Sequence, residues 1–397
     1  MAPDGHGAVG AAPRVLEVFW RFLALGCTSF GGPAAHLGYF RETFVERLGW
    51  LDDAAYGRLV ALSQFLPGPG SSQVGFAIGL GRAGLAGGLA AFLGFTLPSF
   101  LLLGGLAALG PAAAPGTRVG GLVAGLKLLA VVVVADAVRG MYASFCTTRL
   151  AAGLAVGATV VLLAVQAPAL QLAVLAAAAV IGALARDAMP VAAAPPVANG
   201  RIGWLALVLL VSGFALLVTF APADPRVALA RDFYGAGALV FGGGHVVLPL
   251  LQDSVGGALG PQTFLTGYAA AQAVPGPMFT LAAHLGGAML PASPWLGASI
   301  ATAAIFAPGL LLVLALKDAF AMLAARPRLA AAASGINAAV VGLLIAALYQ
   351  PVFTSAVHSG LDVGLAVAGF WVLVTFRPPI LALVAAFAAT GLARAAL

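Results

Sequence analysis

Apolar residues run in long blocks along the chain, and short polar or glycine- and proline-rich segments separate the blocks. A helix of about 20 apolar residues matches the ~30 Å hydrocarbon core of a bilayer. Nine uninterrupted blocks are predicted membrane-spanning helices: 84–110, 119–138, 150–167, 169–185, 202–220, 294–316, 329–349, 361–376 and 379–396. The pattern therefore predicts an all-α polytopic membrane protein, with about nine to twelve membrane segments when interrupted blocks are included.

Two further blocks in the first half of the chain are apolar but broken. The block 14–31 stops at the GGP of residues 31–33, and the block 52–81 is cut by the PGPG of residues 67–70. Proline removes a backbone donor and glycine permits the bend, so both motifs end helices. In lipid, the freed backbone groups are tolerated only when they are buried in protein or line a wet cavity. The breaks therefore predict discontinuous or re-entrant helices.

The second half of the chain repeats the landmarks of the first half in the same order, at offsets of 211, 208, 210 and 210 positions. Such an ordered series indicates an internal duplication. We expect repeat one at 1–187, a linker with an extra transmembrane helix at 188–224, and repeat two at 225–397. The matched landmarks are Phe30-Gly31-Gly32 with Phe241-Gly242-Gly243, Gln64 to Pro69 with Gln272 to Pro277, Pro98 with Pro308, and Gly125-Leu126-Lys127 with Gly335-Ile336-Asn337.

The basic residues indicate that the two repeats have opposite orientations. Arginines flank the loops 139–149 and 186–201, which places both loops in the cytoplasm by the positive-inside rule. The loop 350–360, which corresponds to the first of these, has no lysine or arginine, whereas 317–328 is richer in them than its counterpart 111–118. This reversal predicts an inverted-topology repeat with a cytoplasmic N-terminus. An uneven distribution by chance is the alternative, because the charges are few.

Composition narrows the classes of function. The 397 residues are 62% hydrophobic and 8% charged, with a mean hydropathy of +1.06, so the formal charge of +6 reflects membrane orientation and not a nucleic-acid surface. Cys27 and Cys146 belong to no CxxC motif or Cys/His cluster, and we expect free thiols. With no flavin, haem or metal motif, the sequence predicts neither an enzyme nor a cofactor or metal site.

Broken helices in inverted repeats are typical of secondary transporters, whose half-helix N-termini attract anions near the bilayer midplane. Each dipole end contributes ~0.3–1 kcal/mol when exposed and up to ~2 kcal/mol when partly buried, so several ends together with polar donors suffice for a small oxyanion. The candidate donors beside the breaks are Ser63, Gln64, Ser71, Ser72, Gln73, Gln272 and Thr280.

Lys127 lies near the middle of an apolar span, where a lysine costs about 2.5–3.5 kcal/mol to insert. The cost predicts a partner or a cavity, and we interpret Lys127 as a substrate-binding or proton-coupling residue with Asn337 as its neutral counterpart. Snorkelling toward one face of the bilayer is the alternative. Asp136 is half a helical turn away from Lys127 in angle and better placed to pair with Arg139.

Two histidines follow glycine breaks, His36 in the first half and His245 in the second. Each is a candidate anion donor or proton carrier, with a packed, hydrogen-bonded histidine as the alternative. His284 and His358 are not assigned a role by the sequence. The segment 34–50 carries charged residues among aromatic ones, which predicts an amphipathic helix at the cytoplasmic membrane interface.

Six ordered motifs resemble the chromate transporter family in its long, two-domain form, and the resemblance covers nearly the whole chain. The motifs are FGGPAAHLG at 30–38, SQFLPGPGSSQ at 63–73, GLKLLAVVVVADA at 125–137, FGGGHVVLPLL at 241–251, AQAVPGPMFT at 271–280 and GINAAVVGLLIAALYQP at 335–351. Family positions carry over only where these motifs match, and His245 is less secure because its counterpart in the first repeat is alanine. The resemblance implies a carrier that exports chromate across the bacterial inner membrane, driven by the proton motive force, with sulfate as an isosteric competitor.

Residues and resemblance together predict the following substrate-binding set: Gly31, Gly32, His36, Ser63, Gln64, Gly68, Ser71, Lys127, Gly242, Gly243, Gly244, His245, Gln272, Gly276 and Asn337. The candidates for proton coupling are Lys127, His36 and Asp136. The expected partners are chromate or sulfate, protons and the lipid bilayer, and the sequence leaves the oligomeric state open. An oxyanion channel and a sulfate-type anion exchanger are the alternative functions.

Overall fold

The structure, a computed structural model, describes residues 11–30, 32–109, 118–165, 170–185, 201–219, 224–241, 247–316 and 327–395. Helices account for nearly all of this part of the chain, and it contains no β-strand. Four helical stretches are long and apolar enough to cross a bilayer: Gly70–Ala108, Gly120–Phe145, Pro294–Leu316 and Pro327–Ala356. Together with the shorter apolar helices, they confirm the predicted all-α polytopic membrane fold.

Seventeen α-helices follow one another in the described ranges. In the first half they are α1 (Ala11–Thr28), α2 (Gly32–Phe40), α3 (Asp53–Phe65), α4 (Gly70–Ala108), α5 (Arg118–Phe145), α6 (Arg149–Ala164) and α7 (Leu170–Ala185), followed by α8 (Arg201–Thr219). The later helices are α9 (Pro225–Leu239), α10 (Val247–Leu251), α11 (Gly257–Ala273), α12 (Leu281–Met289), α13 (Pro294–Leu316), α14 (Pro327–Ala347), α15 (Thr354–Ala356), α16 (Gly360–Phe376) and α17 (Ile380–Ala395).

Each of the nine predicted spans corresponds to a helix, but the span 84–110 is only one arm of α4. The backbone of α4 leaves helical geometry at Ala83 and Gly84, where Gly84 has φ +64°. A Cβ added to Gly79 would lie 2.3 Å from the carbonyl oxygen of Gly87, so the two arms pack backbone to backbone. Helix α4 is therefore a short arm (70–82) and a long arm (85–108) joined by a sharp reversal.

The predicted helix breaks are confirmed at the described residues. Helix α1 ends at Thr28, before the GGP motif, and the PGP at 67–69 separates α3 from α4. In the second half, α9 ends at Leu239 before the glycine-rich motif, and the PGP at 275–277 separates α11 from the 3₁₀ turn Met278–Thr280 that leads into α12. Proline and glycine thus divide the apolar blocks into separate helices, several of which, such as α3 with 13 residues, are too short to span a bilayer alone.

The segment 34–50 is helical as predicted, because α2 continues into a π-helical stretch at Arg41–Arg47. Phe40 and Phe44 are fully buried on its inner side, while Arg41 forms exposed ion pairs with Glu46 and Asp53. The stretch is therefore amphipathic, and its location at the membrane interface stays a prediction. Cys27 and Cys146 are free thiols, as expected.

The segment 350–360, which we expected to be a loop, is partly helical. After α14 the chain continues as a π-helical stretch, Leu348–Phe353, and then as the single turn α15. Gln350 departs from helical geometry, with φ −133° and ψ 116°, directly before Pro351. Proline disfavours the α conformation of the residue before it, so Pro351 kinks the helix here but does not end it.

The long arm of α4 and helix α13 pack against each other in antiparallel directions. The ring centroids of Phe92 and Phe306 are 5.0 Å apart, and those of Phe100 and Trp295 are 6.1 Å apart. As residue numbers rise along one helix, they fall along the other. These two helices carry Pro98 and Pro308, which correspond to each other in the sequence duplication.

Two other helix pairs exchange partners between the halves. Helix α5 packs on α17 and α16, whereas α14 packs on α7 and α6. A Cβ at Gly125 of α5 would lie 2.0 Å from the carbonyl oxygen of Phe387, and a Cβ at Gly335 of α14 would lie 2.2 Å from that of Ala178. Gly125 and Gly335 correspond in the duplication, so the same glycine allows both close helix contacts.

Candidate functional site

The helix breaks of the two halves meet through a reciprocal pair of backbone hydrogen bonds. The amide of Gly68, in the first PGP, donates to the carbonyl of Val240 at 2.7 Å. The amide of Gly276, in the second PGP, donates to the carbonyl of Ser29 at 2.9 Å. Val240 and Ser29 each follow the helix that ends at the glycine-rich motif of their own half. Each PGP break is therefore fixed to the glycine-rich break of the other half.

Both PGP glycines adopt conformations that other residues avoid. Gly68 has φ +122° and Gly276 has φ +99°. A Cβ at Gly68 would lie 2.9 Å from the Cα of Gly309, and a Cβ at Gly276 would lie 2.9 Å from Ser99 Oγ. Glycine is required at both positions for its backbone conformation and for the close approach of α13 or α4.

Side chains near the first PGP hold it in place. Gln73 Nε2 donates to the carbonyl of Pro67 at 2.8 Å and to that of Gly309 at 3.2 Å, and Ser63 Oγ donates to the Val60 carbonyl at 2.8 Å. These donors are therefore occupied within the protein. Ser72 Oγ, in contrast, is buried and has no hydrogen-bond partner among the described residues.

His36 is almost completely buried and packs against the first turn of α4. Its Nδ1 lies 3.2 Å from Ser71 Oγ, its ring meets Phe95 edge-on at 5.1 Å, and it also interacts with the Ser29 backbone. Its Nε2 has no hydrogen-bond partner of normal geometry among the described residues. The arrangement matches the packed, hydrogen-bonded alternative and leaves one ring nitrogen for a ligand or proton.

A cavity of about 450 Å³, which we call the Asp136 cavity, lies beside the second PGP. It brings together four predicted residues from both halves: Gly32, Asp136, Gln272 and Gly276. Helix α2 begins at Gly32, and Met278, another lining residue, begins the turn into α12. Two helix starts therefore meet at this cavity, where their free N–H groups and positive dipole ends favour an anion.

Asp136 contributes the opposite charge to the wall of this cavity. Its carboxylate pairs with Arg139 at 2.8 Å, as the sequence predicted, and is about a third exposed. Gln272 Nε2 lies 3.3 Å from the sulfur of Met278, and the Gln272 side chain also hydrogen-bonds to the buried Tyr268. The amide of Gln272 is thus partly occupied within the protein, and the charge of Asp136 is partly balanced by Arg139.

Lys127 lies in a second cavity, of about 770 Å³, which we call the Lys127 cavity. Lys127 is 7% exposed and its ammonium donates a hydrogen bond to Gln262 Oε1. The predicted partner and cavity for this buried charge are thus both present. Among the described residues, the linings of the two cavities have no member in common, so the structure separates Lys127 from the described break residues of the Asp136 cavity.

Helices α11 and α12 connect the two cavities. Gln262 and Thr266 of α11 line the Lys127 cavity, while Gln272 at the other end of this helix lines the Asp136 cavity. The chain then runs back from Met278, which lines the Asp136 cavity, through α12 to His284, which lines the Lys127 cavity. A ligand that passed from one cavity to the other would therefore follow this hairpin, whose tip is the second PGP.

Several predicted site residues are not placed in either cavity. Asn337 lies in α14, where its Oδ1 is buried without a partner among the described residues. Gly68 belongs to the first PGP, and Ser71 lies two residues after that motif. The sequence reasoning also missed lining residues, including Tyr39 and His284. The predicted residues that lie outside the described residues are Gly31, Gly242, Gly243, Gly244, His245 and the side chain of Gln64.

Replacing Gly68 with alanine is expected to reduce transport at least tenfold. The substitution places a side chain at φ +122° and 2.9 Å from Gly309, and a strained backbone of this kind costs about 1–3 kcal/mol. Gly70→Ala is the matched control, because its Cβ would meet only ordinary contacts at 3.7 Å or more. Transport rates per folded molecule in membrane vesicles test the pair, and equal rates would show that the geometry of the break is unimportant.

Comparison with known proteins agrees with this architecture. The family model for chromate transporters matches residues 16–183 and 227–392. A chromate transport protein of Pseudomonas aeruginosa is 28% identical over 340 residues, which are 83% of this chain and 79% of that protein. A probable chromate transport protein of Synechococcus elongatus is 30% identical over 295 residues, 72% of this chain and 71% of that protein.

A shorter match links the chain to an archaeal protein. An uncharacterized transporter of Methanocaldococcus jannaschii is 40% identical over 91 residues, which are 23% of this chain and only 22% of that protein. No solved structure matches the chain. Since the family model covers most of both halves, the chain belongs to the chromate transporter family.

Proposed function

We propose that this protein is a secondary active transporter that exports chromate, or a related tetrahedral oxyanion such as sulfate, across the bacterial inner membrane. The observation that carries the proposal is the reciprocal pair of hydrogen bonds that joins the helix breaks of the two halves, Gly68 to Val240 and Gly276 to Ser29. Irregular backbone of this kind is stable inside a membrane where it lines a ligand path. The substrate binds at the helix starts of the Asp136 cavity.

The two halves act as inverted repeats, repeat one at 1–187 and repeat two at 225–397. The antiparallel packing of the long arm of α4 on α13 supports this, because the two helices correspond in the duplication. The exchange of partners by α5 and α14 supports it too. In this arrangement the Asp136 cavity faces the cytoplasm and the Lys127 cavity faces outward, at levels about 14 Å apart along α5.

Alternating access at the repeat interface fits the two separate cavities better than an open pore does. Within the described residues, the Asp136 and Lys127 cavities have no lining residue in common: the tip of the α11–α12 hairpin lines the Asp136 cavity, and the body of the hairpin lines the Lys127 cavity. Rocking of one repeat against the other would open each cavity in turn to the path of the anion. A channel is the alternative reading of the sequence.

Charge at the Asp136 cavity links anion binding to protonation. A divalent anion in the cavity is repelled by the Asp136 carboxylate unless that group is protonated or remains paired with Arg139. Proton binding at Asp136 and anion binding therefore favour each other, so the affinity of the cavity for the anion depends on the protonation of Asp136. Lys127 and His36 are the other groups that sequence and burial nominate for this role.

Chromate uptake into everted membrane vesicles tests the proposal. We expect saturable uptake that rises above the external concentration when a pH gradient, acid inside, is imposed with the membrane potential held at zero, and that sulfate inhibits by competition. Vesicles without the protein control for leakage. Flux that never exceeds equilibration would indicate a channel, and accumulation unaffected by an uncoupler would exclude proton coupling.

A further inference from the structure

The Lys127 cavity contains a buried histidine that the proposed function does not use. His284 of α12 is 5% exposed and lines this cavity. Its ring interacts with the backbones of Thr263 and Leu103, but neither ring nitrogen makes a hydrogen bond of normal geometry to the described residues, and both nitrogens are shielded from solvent. A poorly satisfied buried polar group costs up to about 1–3 kcal/mol, so a ligand that accepted from the ring once it turned toward the cavity would recover free energy.

The ring position of His284 is fixed by a neighbouring glycine. A Cβ added to Gly267 of α11 would lie 2.3 Å from Cδ2 of His284, so only glycine leaves room for the imidazole. Lys127 contacts Gln262 on the same helix, just over one turn before Gly267. Helix α11 therefore holds the lysine and the histidine at neighbouring levels of one cavity.

Lys127 and His284 have no equivalent side chains at the corresponding positions of the other half. At the offset of the PGP motifs, His284 corresponds to Phe76, a buried aromatic residue in the short arm of α4. Lys127 corresponds to Asn337, a neutral side chain. The cation and the imidazole are thus concentrated on one side of the molecule.

The other charged groups beside this cavity neutralise each other. His358 lines the cavity, and its backbone N–H donates to Asp362 Oδ2 at 3.0 Å. Asp362 is also bonded to Arg394 and to the hydroxyl of Ser359, so its negative charge is compensated. Of the charged side chains that line the cavity among the described residues, only Lys127 remains, so no lining carboxylate offsets its charge.

We propose that the Lys127 cavity is a second oxyanion site, separate from the site at the helix breaks, in which Lys127 supplies the charge and His284 donates an N–H to a divalent tetrahedral anion. The proposal deepens the proposed function, on which it rests for the identity of the anion. The site lies on the outward side of the transport path, and the anion binds there after it has passed the tip of the α11–α12 hairpin.

Charge-selective labelling of a cysteine in the cavity tests the proposal. Thr266→Cys is introduced into a Cys27→Ser, Cys146→Ser background, because Thr266 lines the cavity and is not assigned to binding. The purified protein reacts with an anionic and a cationic methanethiosulfonate reagent of similar size. We expect the anionic-to-cationic rate ratio to exceed that of Ala292→Cys, on an exposed turn nearby, by about tenfold. Sulfate serves as the probe, since chromate oxidises thiols.

Substitutions of Lys127 and of His284 are expected to have different effects on the labelling. Sulfate slows the labelling of Thr266→Cys, whereas chloride at equal ionic strength does not. Lys127→Gln lowers the rate ratio to that of the control position. His284→Phe, which installs the residue of the other half, keeps the charge preference but loses protection by sulfate, and His284→Gln, which retains a donor, keeps part of that protection. Monodisperse elution of each variant confirms that it is folded.

Three results would overturn the proposal: equal labelling ratios at Thr266→Cys and Ala292→Cys, no protection by sulfate, or protection by anionic lipid alone, which would identify a headgroup site. The assay measures binding in detergent, so it is independent of transport. Failure of vesicle uptake with intact sulfate protection would reject the proposed transport function but not this site. Normal uptake without protection would reject this site alone.

Discussion

A protein with methionine in place of Lys127 is expected to lose chromate export by about a hundredfold or more while its folded state becomes more stable. Burial of a lysine in an apolar span costs about 2.5–3.5 kcal/mol, and the hydrogen bond of its ammonium group to Gln262 returns about 1.5–3 kcal/mol. Methionine has a similar length and carries no charge, so we expect a gain of about 1 kcal/mol in unfolding free energy. Efflux assays and thermal unfolding of the solubilised protein measure the two effects.

The opposite signs of the two effects separate a functional lysine from a structural one. Lys127→Arg, which retains the charge, is expected to keep part of the transport. Arg149→Gln removes a positive charge from the exposed start of α6 and serves as the control for net charge. A Lys127→Met protein that loses both stability and export would point to a structural role, and normal export would remove Lys127 from the mechanism.

Leucine at Gly125 is expected to prevent the accumulation of folded protein. The first atom of any side chain there would lie 2.0 Å from the Phe387 carbonyl oxygen, which is backbone and cannot rotate away. Helices α5 and α17 would have to separate, at a cost above the ~1–3 kcal/mol that is usual for overpacking a core. Gly335→Leu is expected to have the same effect through the carbonyl of Ala178.

Gly140→Leu provides the control on the same helix, because a Cβ at Gly140 has no neighbouring atom within 4 Å. The yield of monodisperse protein and its thermal midpoint report the difference. If Gly125→Leu and Gly140→Leu behaved alike, the close contact between α5 and α17 would not exist in the membrane.

The helices themselves were predictable from local sequence. Uninterrupted apolar blocks give the spans, and GGP and PGP end helices through the chemistry of single residues, so neither inference needs tertiary information. The reversal within α4 was less visible. Ala83 and Gly84 contain no proline, and a glycine in an apolar block signals a turn only weakly.

The division of the site into two cavities was not predictable in the same way. The motif that contains Lys127 follows directly after the two break motifs of the first half in the sequence. Helix α5 is nevertheless long enough to place Lys127 and Asp136 in different cavities. The role of His284 depends on its neighbour Gly267 and on the absence of a hydrogen-bond partner within the described residues, which are properties of the folded chain. One signal was present, since the duplication pairs His284 with Phe76.

The exchange of helix partners between the halves has a consequence for the order of assembly. Translation delivers α6 and α7 to the membrane long before α14, which contributes the glycine that fits against Ala178. Until α14 emerges from the ribosome, the small-residue faces of α6 and α7 can contact only lipid or the insertion machinery. We therefore expect that neither half is a self-sufficient folding unit, and that two halves made as separate polypeptides become stable only when they associate.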